Sequence, residues 1–106
     1  MDYEITPEEL KALLESGSDV VVVDVRESWE VATASMGHTK HIPMNDIPAR
    51  HGELDVNKHT VVVCHHGVRS MRVTMWLRQQ GYEKVQSLGG GIDAWARQVD
   101  PKVGVY

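Results

Sequence analysis

The sequence contains no phenylalanine and only one cysteine, Cys64, in 106 residues. One thiol excludes a disulfide within the chain, so the fold must hold without a covalent staple, and a reducing, cytoplasmic setting is expected. No apolar run is long enough to span a bilayer, and the acidic start Met1-Asp2-Tyr3-Glu4 does not read as a secretory leader. Cations are the minority: 11 Lys and Arg stand against 15 Asp and Glu, a formal charge of −4. Broad attraction to nucleic acid or to an anionic membrane is therefore disfavoured, and any anion must be captured by a local, preorganised loop. Repeats, low-complexity tracts and linkers are also missing. A hydrophobic content of 42% is ordinary for a globular protein. The length fits one domain over residues 1–106, with a core over about 4–97 and a short tail at 98–106.

What is present is a regular alternation of elements. Thr6-Pro7-Glu8-Glu9 reads as a helix start, with Thr6 as N-cap, Pro7 at the first helical position and Glu9 closing a capping box. Leu10, Leu13 and Leu14 form its apolar stripe, and Ser16-Gly17-Ser18 ends it. Asp19 to Val25 and Thr60 to Cys64 are near-continuous apolar runs, the pattern of strands covered on both faces. Between them, Ser28 is expected to cap a short helix through Ala32. His41 to Met44 reads as a brief strand stopped by Pro43, and Ile47 to Arg50 as another short helix. A helix is predicted over Ser70–Gln80, burying Met71, Val73, Met75, Trp76 and Leu77, with Gly81 as its C-cap. Lys84 to Leu88 is a third strand, and Gly89-Gly90-Gly91 turns the chain into a last helix with Ile92, Ala94 and Trp95. The tail from Asp100 to Tyr106 is expected to be irregular, docked or frayed. Strands alternating with helices, with no hairpin signal between them, imply an α/β domain around a mostly parallel sheet. Ligand sites in such sheets lie beyond the carboxyl ends of the strands, and Cys64 falls at one of those ends.

A lone cysteine is ordinarily a small buried hydrophobe. Cys64 is placed differently, where a buried strand gives way to a glycine-containing loop and a helix start. Loop N–H groups and the positive end of the helix dipole both favour a thiolate there. The run Cys64-His65-His66-Gly67-Val68-Arg69-Ser70 resembles the Cys-x-x-Gly-x-Arg-Ser loop of single-domain rhodanese-like sulfurtransferases. Asp24-Val25-Arg26-Glu27 followed by Trp29-Glu30, His41-Ile42-Pro43 and Gly90-Gly91-Ile92-Asp93-Ala94-Trp95 are similar to that family's other motifs, in the same order. The resemblance implies a three-layer α/β/α domain that moves a sulfane sulfur, from a donor such as thiosulfate, through a persulfide on Cys64. It implies no cofactor. With no second thiol to resolve the persulfide, the acceptor has to be cyanide, a small thiol or a cysteine of a partner protein.

Roles around Cys64 follow with their alternatives. Gly67 permits the close backbone approach a sulfur cradle needs. His65 and His66 either hold the anionic donor, shuttle a proton, or are exposed residues that tune access. Arg69 supplies a fixed positive charge and is equally suited to an ion pair with an acidic neighbour; the two roles are compatible. Ser70 is expected to cap the following helix rather than to donate toward the sulfur. Asp24 and Arg26, at the end of another buried strand, are expected on the rim of the site as an ion pair bracing the loop. The consecutive Cys64, His65 and His66 lack metal-ligand spacing, so no metal is expected. Gly89-Gly90-Gly91 lacks the rest of a phosphate loop and is expected to bring backbone close to the active loop. Trp29, Trp76 and Trp95 read as core or pocket-wall residues. Other activities carried by such a sequence are a rhodanese-fold binding module with little turnover, or a cysteine-dependent phosphatase or arsenate reductase. Phosphatase loops carry one residue more between cysteine and arginine than the four found here. Family members also usually place a Gly-Ala pair before the His-Ile-Pro element, where this chain has His38-Thr39-Lys40.

Overall fold

A computed structural model describes all of residues 1–106. In chain order the elements are β1 (Glu4–Ile5), α1 (Pro7–Glu15), β2 (Val20–Asp24), α2 (Ser28–Thr33), β3 (Lys40–His41), α3 (Ile47–Arg50), β4 (His59–Val63), α4 (Val68–Gln79), β5 (Val85–Leu88) and α5 (Gly91–Gln98). The strands form one sheet in the order β1-β5-β4-β2-β3. Every pairing is parallel, and the two valine-rich runs sit centrally, with Val20 opposite His59 and Asp24 opposite Val63. Successive side chains leave a strand on opposite faces, so these runs feed two separate cores. Val61 and Val63 pack with Ile5, Leu10, Leu88 and Trp95, which brings in α1 and α5. Val62 and Cys64 pack on the other face with Ile47, Val73 and Leu77, which brings in α3 and α4. No helix is long and apolar enough to cross a membrane.

Several expectations need correcting. β1 has no signature in the sequence, because two residues show no alternation; it exists only as the edge partner of Ser87 and Leu88. β3 is Lys40–His41 rather than His41–Met44, since Pro43 has no N–H to offer the ladder. α2 is preceded by Glu27 as the N-cap residue, with Ser28 already helical. α4 starts at Val68 instead of Ser70, and its buried stripe is Ser70, Val73, Thr74 and Leu77. Met75 is 51% exposed, because that four-residue stripe already covers the sheet. Trp95 is buried, but Trp29 is 65% exposed and belongs to neither core. At the departure from the Gly-Ala pattern, His38 takes a left-handed φ of 44° and the chain still enters β3 with Lys40 opposite Val23.

The helix ends follow local chemistry. Thr6 Oγ1 accepts from Glu9 N–H at 3.1 Å while Glu9 Oε1 accepts from Thr6 N–H at 3.0 Å, the reciprocal pair expected from the sequence. Gly81, at φ 101°, closes α4 with Gly81 N–H on Arg78 O at 3.1 Å and Tyr82 N–H on Leu77 O at 3.1 Å. The tail is docked: a short turn at Pro101–Val103 leads to Tyr106, which returns to the carboxyl end of the sheet.

Candidate active site at the end of β4

β4 delivers Cys64 beside the carboxyl end of the sheet, and the chain then curls through His65 to Gly67 before α4 begins. Gly67 adopts φ 103°, a left-handed conformation that side chains rarely take, and this turns the loop back over the sulfur. Cys64 Sγ accepts from Gly67 N–H at 3.1 Å and from Ser70 N–H at 3.3 Å. As a thiol it donates to Ser70 Oγ, also at 3.3 Å, and Ser70 Oγ is 2.8 Å from Ser87 Oγ of β5. Ser70 therefore lies inside the first turn of α4 and against the sulfur rather than at the helix cap. Its hydroxyl can reverse to donate to a sulfur anion while Ser87 donates to it, which leaves every group in the chain partnered. Cys64 itself is 1% exposed, with aliphatic side chains below and loop amides above.

The third glycine of the Gly89–Gly91 turn supports the loop from beneath. Ile92 N–H donates to Cys64 O at 2.9 Å and Asp93 N–H to His65 O at 3.1 Å. A Cβ on Gly91 would come within 2.6 Å of Cys64 O, so only glycine allows this approach.

Arg69 is fixed by an acidic neighbour, Glu30 of α2, at Nη1–Oε1 2.6 Å and Nη2–Oε2 2.8 Å. That bidentate contact is the main reason the Glu30 carboxyl is lowered to about 2, against the opposing effect of burial; the Tyr106 hydroxyl and Glu27 N–H add to it. The same contact raises the Arg69 guanidinium against the opposing effect of burial. Asp24 and Arg26 form an ion pair at 2.7 Å with both side chains 0% exposed, so they lie beneath the site and not on its rim. Arg26 also donates to Ala34 O at 2.7 Å and to Tyr106 Oη at 2.9 Å. Burial opposes its charge, but the Asp24 and Tyr106 contacts leave it raised overall.

His65 stacks on the ring of Tyr106 at 3.9 Å and 6°, and His66 stacks on His65 at 3.9 Å and 27°. Burial and the neighbouring His66 push the His65 imidazole down, and its Nε2 is buried without a partner. His66 and Val68 point to solvent, Val68 at 64% exposure. His65, His66 and Asp93 offer ligand atoms within 4.8 Å of one another. The fold thus turns Gly67 and Ser70 onto the Cys64 sulfur, directs Arg69 to Glu30, and buries Asp24 and Arg26 as a pair. Glu30, Ser87 and Tyr106 were not singled out from the sequence. A serine inside the buried strand Val85–Leu88 was a readable signal; nothing local marked Tyr106.

Residues 6–98 match the sequence model of the Rhodanese-like domain. The chain is 39% identical over 103 residues to a sulfurtransferase of Allochromatium vinosum, covering 97% of this chain and 96% of that one. It is 37% identical over 91 residues to the thiosulfate sulfurtransferase GlpE of Pseudomonas fluorescens, covering 86% and 82%. Among solved structures, a rhodanese-like domain protein from Staphylococcus aureus superposes with a TM-score of 0.85 at 32% identity, over 99% of both chains.

Proposed function

This chain belongs to the Rhodanese-like domain family, and from that premise we propose that it is a sulfurtransferase carrying sulfur as a persulfide on Cys64. The observation that supports this best is the pair of backbone N–H groups, from Gly67 and Ser70, directed at Sγ. Donors fixed in a water-poor site stabilise an anion without reorganising, and they serve the thiolate and the persulfide alike. With thiosulfate as donor, the Cys64 thiolate attacks the outer sulfur, the S–S bond to sulfite breaks, and sulfite leaves with the electron pair. Cys64–S–S⁻ then offers its terminal sulfur to an acceptor. Cyanide departs as thiocyanate and a thiolate departs as its own persulfide, and each regenerates the Cys64 thiolate. No metal or organic cofactor enters these steps. The acceptor is an external thiol in the cell, in a reducing compartment such as the cytosol. Arg69, held by Glu30, adds positive charge beside the sulfur, while Asp24 and Arg26 brace α2 and the loop from behind.

The test is thiosulfate-to-cyanide turnover by the wild type and Cys64→Ser, with intact mass measured after thiosulfate alone. Thiocyanate formation that disappears on substitution, and one added sulfur atom on the wild type, are the expected results. An unmodified mass together with a wild-type rate no better than the variant would favour the binding module. Hydrolysis of p-nitrophenyl phosphate would instead favour the phosphatase.

A further inference from the structure

The family match stops at residue 98, yet the side chain that joins the charged groups of the site is Tyr106. Its hydroxyl accepts from Arg26 Nη1 at 2.9 Å and donates to Glu30 Oε2 at 2.7 Å. Those two bonds connect the buried Asp24–Arg26 pair to the Glu30–Arg69 pair, and hence β2 to the sulfur loop. The phenol ring meanwhile forms the flat seat for His65, and Trp29 meets that ring edge-on at 6.1 Å. Tyr106 is held by charge-assisted hydrogen bonds to Arg26 and Glu30 and by ring stacking on His65 of the loop.

We propose that Tyr106 is a positioning residue for Cys64: its ring fixes His65 and its hydroxyl, through Glu30, fixes Arg69. These two residues flank the turn that carries the Gly67 N–H, so fixing both keeps that donor and the Ser70 N–H on Sγ. The inference deepens the sulfur-transfer reading and rests on it for the use made of the loop, but the loop's hold on the sulfur can be measured without turnover. A tail anchor with no such role would affect only stability and access. A positioning residue changes how readily the sulfur ionises.

The sole cysteine makes the experiment unambiguous. The full chain, Tyr106→Phe and Tyr106→Ala are alkylated with iodoacetamide from about pH 5 to about pH 10, the rates read by intact mass, and melting curves are recorded alongside. Steric access alters the plateau rate, whereas ionisation sets the inflection. The expected result is an inflection about half a pH unit or more higher in Tyr106→Ala, with Tyr106→Phe in between because it keeps the stack and loses both hydrogen bonds. Thiosulfate turnover should show kcat about tenfold lower in Tyr106→Ala with KM changed far less. Inflections that coincide in all three proteins overturn the proposal, whatever the melting temperatures or plateaus do. If Tyr106→Ala does not fold, Tyr106→Phe decides by the same criterion. A shifted inflection in a protein that forms no thiocyanate would uphold the positioning role and sink the sulfur-transfer reading.

Discussion

Arg69 owes its position to Glu30, whose two oxygens it meets at 2.6 and 2.8 Å. Glu30 is 4% exposed, so removing its partner would strand a buried carboxylate. Its lowered carboxyl, at about 2, makes the pair a pH-dependent support. Because that value lies below the ordinary glutamate value of about 4.3, the contribution is complete above about pH 4.3 and is lost as pH falls toward about 2. Urea unfolding across that window should show the wild type losing roughly 2–3 kcal/mol more than Glu30→Gln, which has no carboxyl to protonate. Parallel losses in the two proteins would mean that the pair does not hold the site. The polar residues that matter here were partly legible. Asp24, Arg26 and Arg69 could be marked as ion-pair members from their positions at strand ends and loops. Which acid meets Arg69 was not legible, because that depends on how α2 lies across the sheet.

At the scale of elements, each loop at the carboxyl end is shaped by a neighbour's backbone. The turn into α5 succeeds only because Gly91, at φ 61°, admits the carbonyls of Cys64 and His65. Gly91→Ala should therefore destabilise the protein by more than about 2 kcal/mol in urea titrations, combining left-handed strain with the overlap. Cysteine chemistry should fall with it, since Ile92 N–H no longer anchors Cys64 O. The α1 capping box makes a milder case. Thr6→Ala removes one exposed cap bond and should cost about 1 kcal/mol, with sulfur transfer unchanged. That box, the Gly81 ending of α4 and the strand at Val20–Asp24 were readable because each rests on residues close in sequence. β1 and the start of α4 were not, since one needs an edge partner and the other depends on the φ of Gly67.

Across the whole molecule, two cores share one sheet, and the chain has a Cα radius of gyration of 12.5 Å. Leu10 of α1 and Leu77 of α4 are each 0% exposed, on opposite faces of the sheet. Leu10→Ala and Leu77→Ala should each cost about 2–5 kcal/mol. Since the central strands serve both cores, each variant should still unfold in one transition, with tryptophan fluorescence and far-UV circular dichroism coinciding. Separate transitions would show that the two faces fold independently.

By itself the sequence settled the class of fold and pointed to Cys64 as the candidate nucleophile. Both depend on local patterns: valine runs buried on two faces, helix caps, and a Cys-to-Arg loop of fixed length. Only the tertiary structure decided which side chains complete the site. Glu30, Ser87 and Tyr106 come from α2, β5 and the tail, far from Cys64 along the chain, and contacts over such separations are set by packing geometry rather than by sequence spacing.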